Sequence, residues 1–295
     1  MRTFDLVVAT TAQHALEALA RHGPRARVLA GGTDLLVELK AAAAAPEVLV
    51  DISRVEEFKA LGREERGLVI GALVTHAEIA RSELVCRLCP ALAEAARRIG
   101  AEQTRNLGTL GGNLASAVPC MDTGPALMAL DARIVLASLG GRREMPLEAF
   151  FVGPRRTRCA PGEILCEIVI PESSLGKSSA FRKAGLRRGQ AIALANASAA
   201  LRVDPQRGVF LEPRIALGAV APTVMRAREA ESFLDGRAVS REAISEAARI
   251  AAAQTRPISD FRASSGYRRE LTAVLVRRVL EEACDRARGG CGGAP

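Results

Sequence analysis

The first half of the chain alternates short apolar runs with segments of helical spacing. The runs RARVLA (25–30), EVLVDIS (47–53) and GLVIGALVT (67–75) predict strands. Between the first two, TDLLVELKAAAAA (33–45) predicts a helix that follows a glycine pair. This alternation of strand and helix is typical of an α/β unit.

A second helical pattern follows the third strand, and a proline interrupts it. Proline is tolerated in the first turn of a helix but not in its interior, so we predict that the helix restarts at Pro90 and stops at Gly100. Its apolar positions are Leu84, Leu88, Leu92, Ala95 and Ile99.

Further along, ARIVLAS and RREMPL flank Gly140 and Gly141 and predict a β-hairpin. EILCEIVIP (163–171) predicts a strand. The small, polar segment SSLGKSS (173–179) predicts a domain junction. We therefore divide the chain into domains at 1–175 and 176–287, with 288–295 as a disordered tail.

The second half has a different pattern, with two long strand-like runs followed by helices. IALANASAALRV and GVFLEPRIALGAVAP predict antiparallel strands joined by the turn at 204–208. A helix is predicted over 240–254 with Ser240 as its N-cap, and another over 267–287.

Composition places the chain among globular proteins. Of its 295 residues, 48% are hydrophobic and 25% are charged, and no apolar run approaches the ~18 residues that a membrane span requires. The N-terminal apolar patch contains Asp5, which argues against a secretory signal. The net charge of +8 is scattered and fits anionic ligands or acidic partners. Aromatic residues make up only 3%, so we predict no nucleic-acid partner.

Seven cysteines at irregular spacing do not form a disulfide framework. We therefore expect a reducing, cytoplasmic compartment. The pair Cys86 and Cys89 has C-x-x-C form but lacks a second pair of ligands, so we predict structural thiols and no metal site. The histidines (His14, His22 and His76) are scattered, and we assign none of them a catalytic role.

Two glycine-rich segments carry the candidate chemistry, LAGGTDLL (29–36) and LGTLGGNL (107–114). The second matches neither the dinucleotide fingerprint nor the P-loop. The first lies between a strand and a helix, where bare amides and a helix N-terminus receive phosphate. Thr33 can cap that helix, and Asp34 must point away from an anion.

The second segment offers the same groups, and the two could close on one diphosphate. Thr109 supplies a hydroxyl, Gly111 and Gly112 supply bare amides, and Asn113 supplies a side-chain amide. Asp122 is an acceptor suited to ribityl or ribose hydroxyls. The alternative is that both glycine pairs are ordinary turns.

Four stretches together resemble one known family. They are AGGTDLL, RNLGTLGGNLASAVPCMDTGPALMALDA, RIALGAVAPTVMRAREAE and SDFRASSGYRRELTAVLVRRVL. In this order they resemble the FAD-binding medium subunit of molybdenum hydroxylases, the xanthine dehydrogenase and aerobic carbon monoxide dehydrogenase family. The resemblance runs from about residue 3 to 285. The long central motif is highly specific.

The resemblance implies an α+β fold. A two-subdomain FAD-binding domain of the vanillyl-alcohol-oxidase (PCMH) type would precede a C-terminal domain with a three-stranded antiparallel sheet and helices. It also implies an oxidoreductase subunit that holds FAD and works with a small [2Fe–2S] subunit and a large molybdopterin subunit, as a dimer of heterotrimers. Electrons would pass from iron–sulfur to this flavin and then to NAD+ or another acceptor.

The same resemblance assigns site residues. The first FAD segment would be Ala30, Gly31, Gly32, Thr33 and Asp34, and the second Thr109, Leu110, Gly111, Gly112 and Asn113. Asp122 would bind the flavin chain, and Leu165 would pack near the isoalloxazine ring, although an apolar strand residue is usually core. We favour Lys183 over Arg182 as the flavin-proximal basic residue.

Two features depart from the family or remain open. Cys120 stands where the family usually has a small residue, and it is either a packed thiol or a modulator of oxygen access. Some relatives carry an inserted [4Fe–4S] site, which we do not predict here. The competing functions are a stand-alone FAD-dependent oxidase or dehydrogenase and a basic nucleic-acid-binding or nucleotide-binding module without redox chemistry.

Overall fold

A computed structural model describes residues 3–41 and 45–289 of the chain. The N-terminal part opens with a parallel sheet in the order β1-β3-β2. Thr11 is the N-cap of the first helix, and its hydroxyl accepts from the His14 amide. The elements are β1 (Asp5–Val8), α1 (Ala12–His22), β2 (Ala26–Leu29), α2 (Leu35–Lys40) and β3 (Val48–Asp51).

A second sheet is antiparallel and has five strands in the order β4-β5-β10-β6-β7, and β8 and β9 form a separate two-stranded sheet. The strands are β4 (Leu61–Glu64), β5 (Gly67–Gly71), β6 (Arg133–Ser138), β7 (Gly141–Pro146), β8 (Phe151–Gly153), β9 (Arg156–Thr157) and β10 (Ile164–Pro171). The helices in this part of the chain are α3 (His76–Arg81), α4 (Glu83–Leu88), α5 (Pro90–Arg97), α6 (Glu102–Leu107), α7 (Leu110–Ser116), α8 (Thr123–Ala129) and α9 (Leu147–Phe150).

The C-terminal part contains an antiparallel sheet of four strands, in the order β11-β12-β13-β14. The prediction of a three-stranded sheet is therefore wrong, because it lacks the edge strand β14. That strand has only two residues, too few to leave an alternating pattern in the sequence. The elements are β11 (Ser178–Gly185), β12 (Ala193–Val203), β13 (Phe210–Gly218), β14 (Met225–Arg226), α10 (Arg228–Leu234), α11 (Arg241–Ala253) and α12 (Ser265–Ala287).

Several local predictions are confirmed. The helix restarts at Pro90, the hairpin turns at Gly140 and Gly141, and the Ser240 hydroxyl caps α11. The restarted helix ends at Arg97 rather than at Gly100. Helix α2 is shorter than predicted, and part of its predicted run, 42–44, lies outside the described residues, as do 290–295 of the predicted tail.

Helix α8 joins the N-terminal part of the chain to the C-terminal sheet by packing. All seven of its residues are buried, and it packs on β12 and β13. Ionic contacts reinforce this joint: Asp131 accepts from Arg214 and Arg226, and Glu94 accepts from Arg286. The C-terminal sheet is therefore held against the segment that contains Asp122.

In residues 3–41 and 45–289, no helix combines the length and apolar character needed to cross a bilayer. Over the same residues, no group of three or more His, Cys, Asp or Glu side chains is arranged to hold a metal ion.

Candidate functional site

The first glycine segment, Ala30–Asp34, is a bare loop between β2 and α2. None of its five backbone N–H groups donates a hydrogen bond to an acceptor within residues 3–41 and 45–289. Gly32 has a φ of +70°, which favours glycine. Successive backbone N–H groups without a partner in the protein can bind an anion.

Two details of this loop differ from expectation. Asp34, not Thr33, occupies the N-cap position of α2, and its side chain makes no capping hydrogen bond. The Asp34 side chain is exposed to solvent. The Thr33 hydroxyl is therefore not committed to the helix.

The second glycine segment is a helix start rather than a turn, and its amides are not bare. Thr109 is the N-cap of α7, and Gly111 and Gly112 lie in the first helical turn. The expectation of bare amides at these glycines is wrong, because each amide already has a partner in the protein. The acceptors are Val74 O for Leu110, Ala72 O for Gly111, the Thr109 hydroxyl for Gly112 and the Thr109 carbonyl for Asn113.

Glycine here serves close packing instead. A Cβ on Gly111 would lie 2.5 Å from the Ala72 Cβ, a separation that real side chains do not show. A Cβ on Gly112 would meet only the Thr109 hydroxyl, at 2.9 Å, and otherwise open space. Gly111 therefore lets α7 approach the sheet, whereas Gly112 presents an open backbone surface.

The two segments lie in direct contact. A Cβ on Gly31 would lie 1.7 Å from the Leu107 carbonyl oxygen, and a Cβ on Gly108 would lie 3.5 Å from the Thr33 hydroxyl. The two glycine pairs are separated by residues 33–110 in sequence, and the fold brings the two segments together.

Asp122 and Lys183 form a buried ion pair beside this surface. The Lys183 ammonium donates to Asp122 Oδ2 and to the Arg98 carbonyl at 3.1 Å. The two side chains are only 6% and 7% exposed, so solvent screens the pair weakly. Burial raises the pKa of Asp122, while the Lys183 charge and the hydrogen bonds from Lys183 and Asn196 oppose that rise.

The structure separates Lys183 from Arg182 by strand alternation. Neighbouring residues of β11 point to opposite faces of the sheet, so only one of them can face Asp122. Lys183 is that residue. Arg182 pairs with Glu282 of α12 at 2.5 Å on the other face.

A hydrogen bond links the second glycine segment to this pair. Asn113 Oδ1 accepts from the Thr123 hydroxyl at 2.6 Å, and Thr123 directly follows Asp122. The candidate residues Asn113, Asp122 and Lys183 therefore belong to one connected group.

Leu165 and Cys120 are the two remaining candidate residues near the site. Leu165 is buried in the main core, opposite Leu136 of β6, and shares that core with Leu110 and Leu114 of α7. Burial, followed by the charge of Asp122, raises the pKa of the Cys120 thiol, and the Arg262 and Lys183 charges counter it. Cys120 is thus a half-buried thiol close to the Asp122–Lys183 pair.

Two residues near the site were missed from the sequence. Asn196 of β12 is buried and donates to Asp122, and its carboxamide in a strand of mostly Ala and Leu residues was a usable signal, since buried amides need partners. His76 is buried next to Gly108, and its Nδ1 has no partner in the described chain. Nothing in the local pattern around His76 indicates that burial.

Comparison with known proteins decides the family. A model of the FAD binding domain in molybdopterin dehydrogenase matches residues 2–173. A model of the CO dehydrogenase flavoprotein C-terminal domain matches residues 179–283.

The chain belongs to the FAD-binding subunits of the molybdenum hydroxylases. It is 34% identical to subunit alpha of the 6-hydroxypseudooxynicotine dehydrogenase complex of Paenarthrobacter nicotinovorans, covering 97% of this chain and 96% of that one. It is 35% identical to the carbon monoxide dehydrogenase medium chain of Hydrogenophaga pseudoflava, covering 92% of this chain and 94% of that one.

A solved structure agrees over the whole chain. Carbon monoxide dehydrogenase from Hydrogenophaga pseudoflava, in a form that lacks the Mo-pyranopterin moiety of its molybdenum cofactor, superposes with a TM-score of 0.92 at 34% identity, covering 97% of this chain and 98% of that one. As a member of this family, the protein is an FAD-binding oxidoreductase subunit. Its relatives are medium subunits of multi-subunit molybdenum hydroxylases.

Proposed function

We propose that this chain is the electron-transfer subunit of a heterotrimeric molybdopterin-dependent hydroxylase or dehydrogenase. It would accept electrons from [2Fe–2S] clusters of a small partner subunit and pass them to NAD+ or another acceptor. A large partner would carry the molybdopterin, and the assembly would be a dimer of heterotrimers. The observation that carries the proposal is the bare loop Ala30–Asp34, which lies against Leu107 and Gly108.

The residues present fit FAD. Five uncommitted N–H groups suit a diphosphate, whose negative charge they would stabilise without a counter-cation. The Thr33 hydroxyl and the open backbone at Gly112 would border the same anion. Residues Leu110 to Asn113 would then mainly support the bound cofactor, since their amides donate within the protein.

Asp122 would accept hydrogen bonds from hydroxyls of the flavin chain. A carboxylate has about four lone-pair sites, and Lys183 and Asn196 occupy two of them. Lys183 would place a positive charge near the flavin, and Leu165 would belong to the apolar wall beneath the ring. FAD, when bound, supplies the redox chemistry, and these side chains orient it and exclude water.

We further propose a domain boundary near 175, supported by the end of β10 at Pro171 and the start of β11 at Ser178. A cytoplasmic location fits the cysteines, because the six in the described part of the chain are free thiols.

Reconstitution and capture test the proposed function. We expect the purified chain, incubated with FAD, to retain it and to absorb near ~450 nm, as flavins do. Capture from native cells should recover an iron–sulfur and a molybdopterin subunit in equal amounts. A chain recovered alone with full substrate turnover would instead be a stand-alone FAD enzyme. A chain that holds no flavin would refute the proposal altogether.

The two glycines of α7 should fail for different reasons. Gly112→Val should abolish FAD retention, because the new side chain enters the space beside the proposed diphosphate, and its folding cost should be about 1 kcal/mol, since the new Cβ lies 2.9 Å from the Thr109 hydroxyl that caps α7. Gly111→Val should instead lower folding stability by about 1–3 kcal/mol, because it overpacks against Ala72. Flavin content and thermal unfolding of both variants separate the two effects. Wild-type flavin content in Gly112→Val would rule out the diphosphate at this position.

A further inference from the structure

Three residues form a row across the C-terminal sheet at the edge of the site. Lys183 of β11 pairs directly with Asn196 of β12, which pairs directly with Gly218 of β13. Residues directly opposite one another in antiparallel strands project from the same face. The row therefore places an ammonium, a carboxamide and a glycine without a side chain next to one another on the face towards α8.

The first two members of this row hold one carboxylate of the other domain by both oxygens. Asn196 Nδ2 donates to Asp122 Oδ1 at 2.9 Å and to the Met121 carbonyl at 3.0 Å, while Lys183 donates to Asp122 Oδ2. Asn196 is 1% exposed, so water does not compete for these bonds. Its second contact, with the backbone of the preceding residue, fixes the chain from which the carboxylate projects.

The third member makes room for the second. A Cβ on Gly218 would lie 2.3 Å from Asn196 Oδ1 and 3.0 Å from Pro125 Cγ, so any side chain there would displace the carboxamide. The φ of Gly218 is not positive, so the backbone does not require glycine. Space for the Asn196 side chain and for α8 is therefore the physical reason for glycine at this position.

We propose that Asn196 is a positioning residue of the flavin site, which acts through Asp122. By holding Oδ1, it fixes the rotamer of the carboxylate and directs the remaining lone pairs of Asp122 towards the hydroxyls of the flavin chain. The C-terminal domain thereby completes the cofactor site of the FAD-binding domain. This inference rests on the proposed function of the Asp122 site.

The energetics of the carboxylate support this role. Burial alone raises the pKa of Asp122, and the Asn196 hydrogen bond is one of the interactions that favour its charged form. An anionic oxygen accepts stronger hydrogen bonds than a neutral one, so loss of Asn196 weakens Asp122 as an acceptor even where the fold is intact.

The test uses the full chain and three variants. Asn196→Leu keeps the size of the side chain but removes the donor. Gly218→Ala keeps Asn196 but pushes its carboxamide away. The matched control is Ser198→Ala, which removes a buried polar group on the same strand and face that bonds Ala180 O and does not contact Asp122.

Three measurements are needed: the Kd for FAD, the midpoint potential and absorption maxima of the bound flavin, and the melting temperature without FAD. We expect Asn196→Leu and Gly218→Ala to raise the Kd at least about tenfold and to shift the flavin potential. Ser198→Ala should stay within about twofold of wild type in Kd, with an unchanged potential, even where its melting temperature falls. Should Asn196→Leu fail to fold, Gly218→Ala decides the matter alone.

The outcomes separate this inference from the proposed function. If the wild type binds FAD and both site variants match the control in Kd and potential, the role of Asn196 is refuted while the FAD-subunit function stands. If the wild-type chain binds no FAD, the proposed function itself fails.

Discussion

Replacing Lys183 with methionine is expected to lower the free energy of unfolding by about 3–5 kcal/mol, because it leaves the Asp122 carboxylate buried without its counter-charge. Methionine retains most of the apolar stem, so the loss reports on the charge rather than on packing. Loss of the Lys183 ammonium also leaves the Arg98 carbonyl without this hydrogen-bond donor. Urea unfolding of the apo chain measures the change, and flavin content should fall in parallel.

The neighbouring residue supplies the control. Arg182→Met removes an arginine whose side chain is 40% exposed, and exposed pairs contribute about 1 kcal/mol or less. The double variant Asp122→Leu with Lys183→Met should regain most of the lost stability, since an apolar pair can replace a buried ion pair, but should not regain flavin. A loss below about 1 kcal/mol for Lys183→Met would mean that water reaches the pair.

Acid should destabilise the protein through His76. Burial, and secondarily the charge of Arg105, lowers the pKa of His76 from its ordinary 6.5 to about 4. The unfolded state therefore binds a proton at a pH where the folded state does not, and stability falls as the pH drops from about 6.5 to about 4. The difference between the two pKa values corresponds to about 3 kcal/mol.

The variant His76→Leu should remove this part of the acid dependence. Because the histidine Nδ1 has no partner in the described chain, an apolar replacement loses no hydrogen bond there. Unfolding free energies at pH 7 and pH 4.5 should differ less in the variant than in wild type by roughly 2–3 kcal/mol. His14→Leu, at an exposed histidine, serves as the control. Equal acid dependence in His76→Leu and wild type would contradict the buried, neutral state.

Since His76 adjoins Gly108, its protonation would also disturb the contact between the glycine segments. A charged imidazole needs solvent or a counter-charge, and its charged neighbour here is Arg105. We expect retention of FAD at low pH to improve in the His76→Leu variant, provided that the variant folds as stably as wild type at neutral pH.

Much of the fold was predictable because its signals are local. Pro90, Gly140 with Gly141, and Ser240 each act on their own stretch of backbone, and the helix restart, hairpin and cap occur where they stand. The short strand β14 and the true length of α2 were not predictable. Their residues carry too little periodic pattern, and contacts with other elements fix their limits.

The candidate site divides in the same way. From the sequence, both glycine segments are predicted to bind a diphosphate, and the second is predicted to be a turn whose amides are free. Thr109 instead caps a helix, and the Ala72 carbonyl accepts a hydrogen bond from the Gly111 amide. Ala72 lies some forty residues away in sequence, so nothing local could reveal that partner.

The sequence by itself determined the family and the identity of the chemical groups, because a long motif such as 105–132 constrains both backbone and side chains. Only the tertiary structure decided which groups remain free. Both segments contain a glycine pair, but the amides of Ala30–Asp34 have no acceptor in the described chain, while those of Leu110 to Asn113 donate within the protein. Likewise, only the register of the C-terminal sheet places three residues side by side next to Asp122, namely Lys183, Asn196 and Gly218. The physical reason is that hydrogen bonds and ion pairs are satisfied in space, between residues distant along the chain.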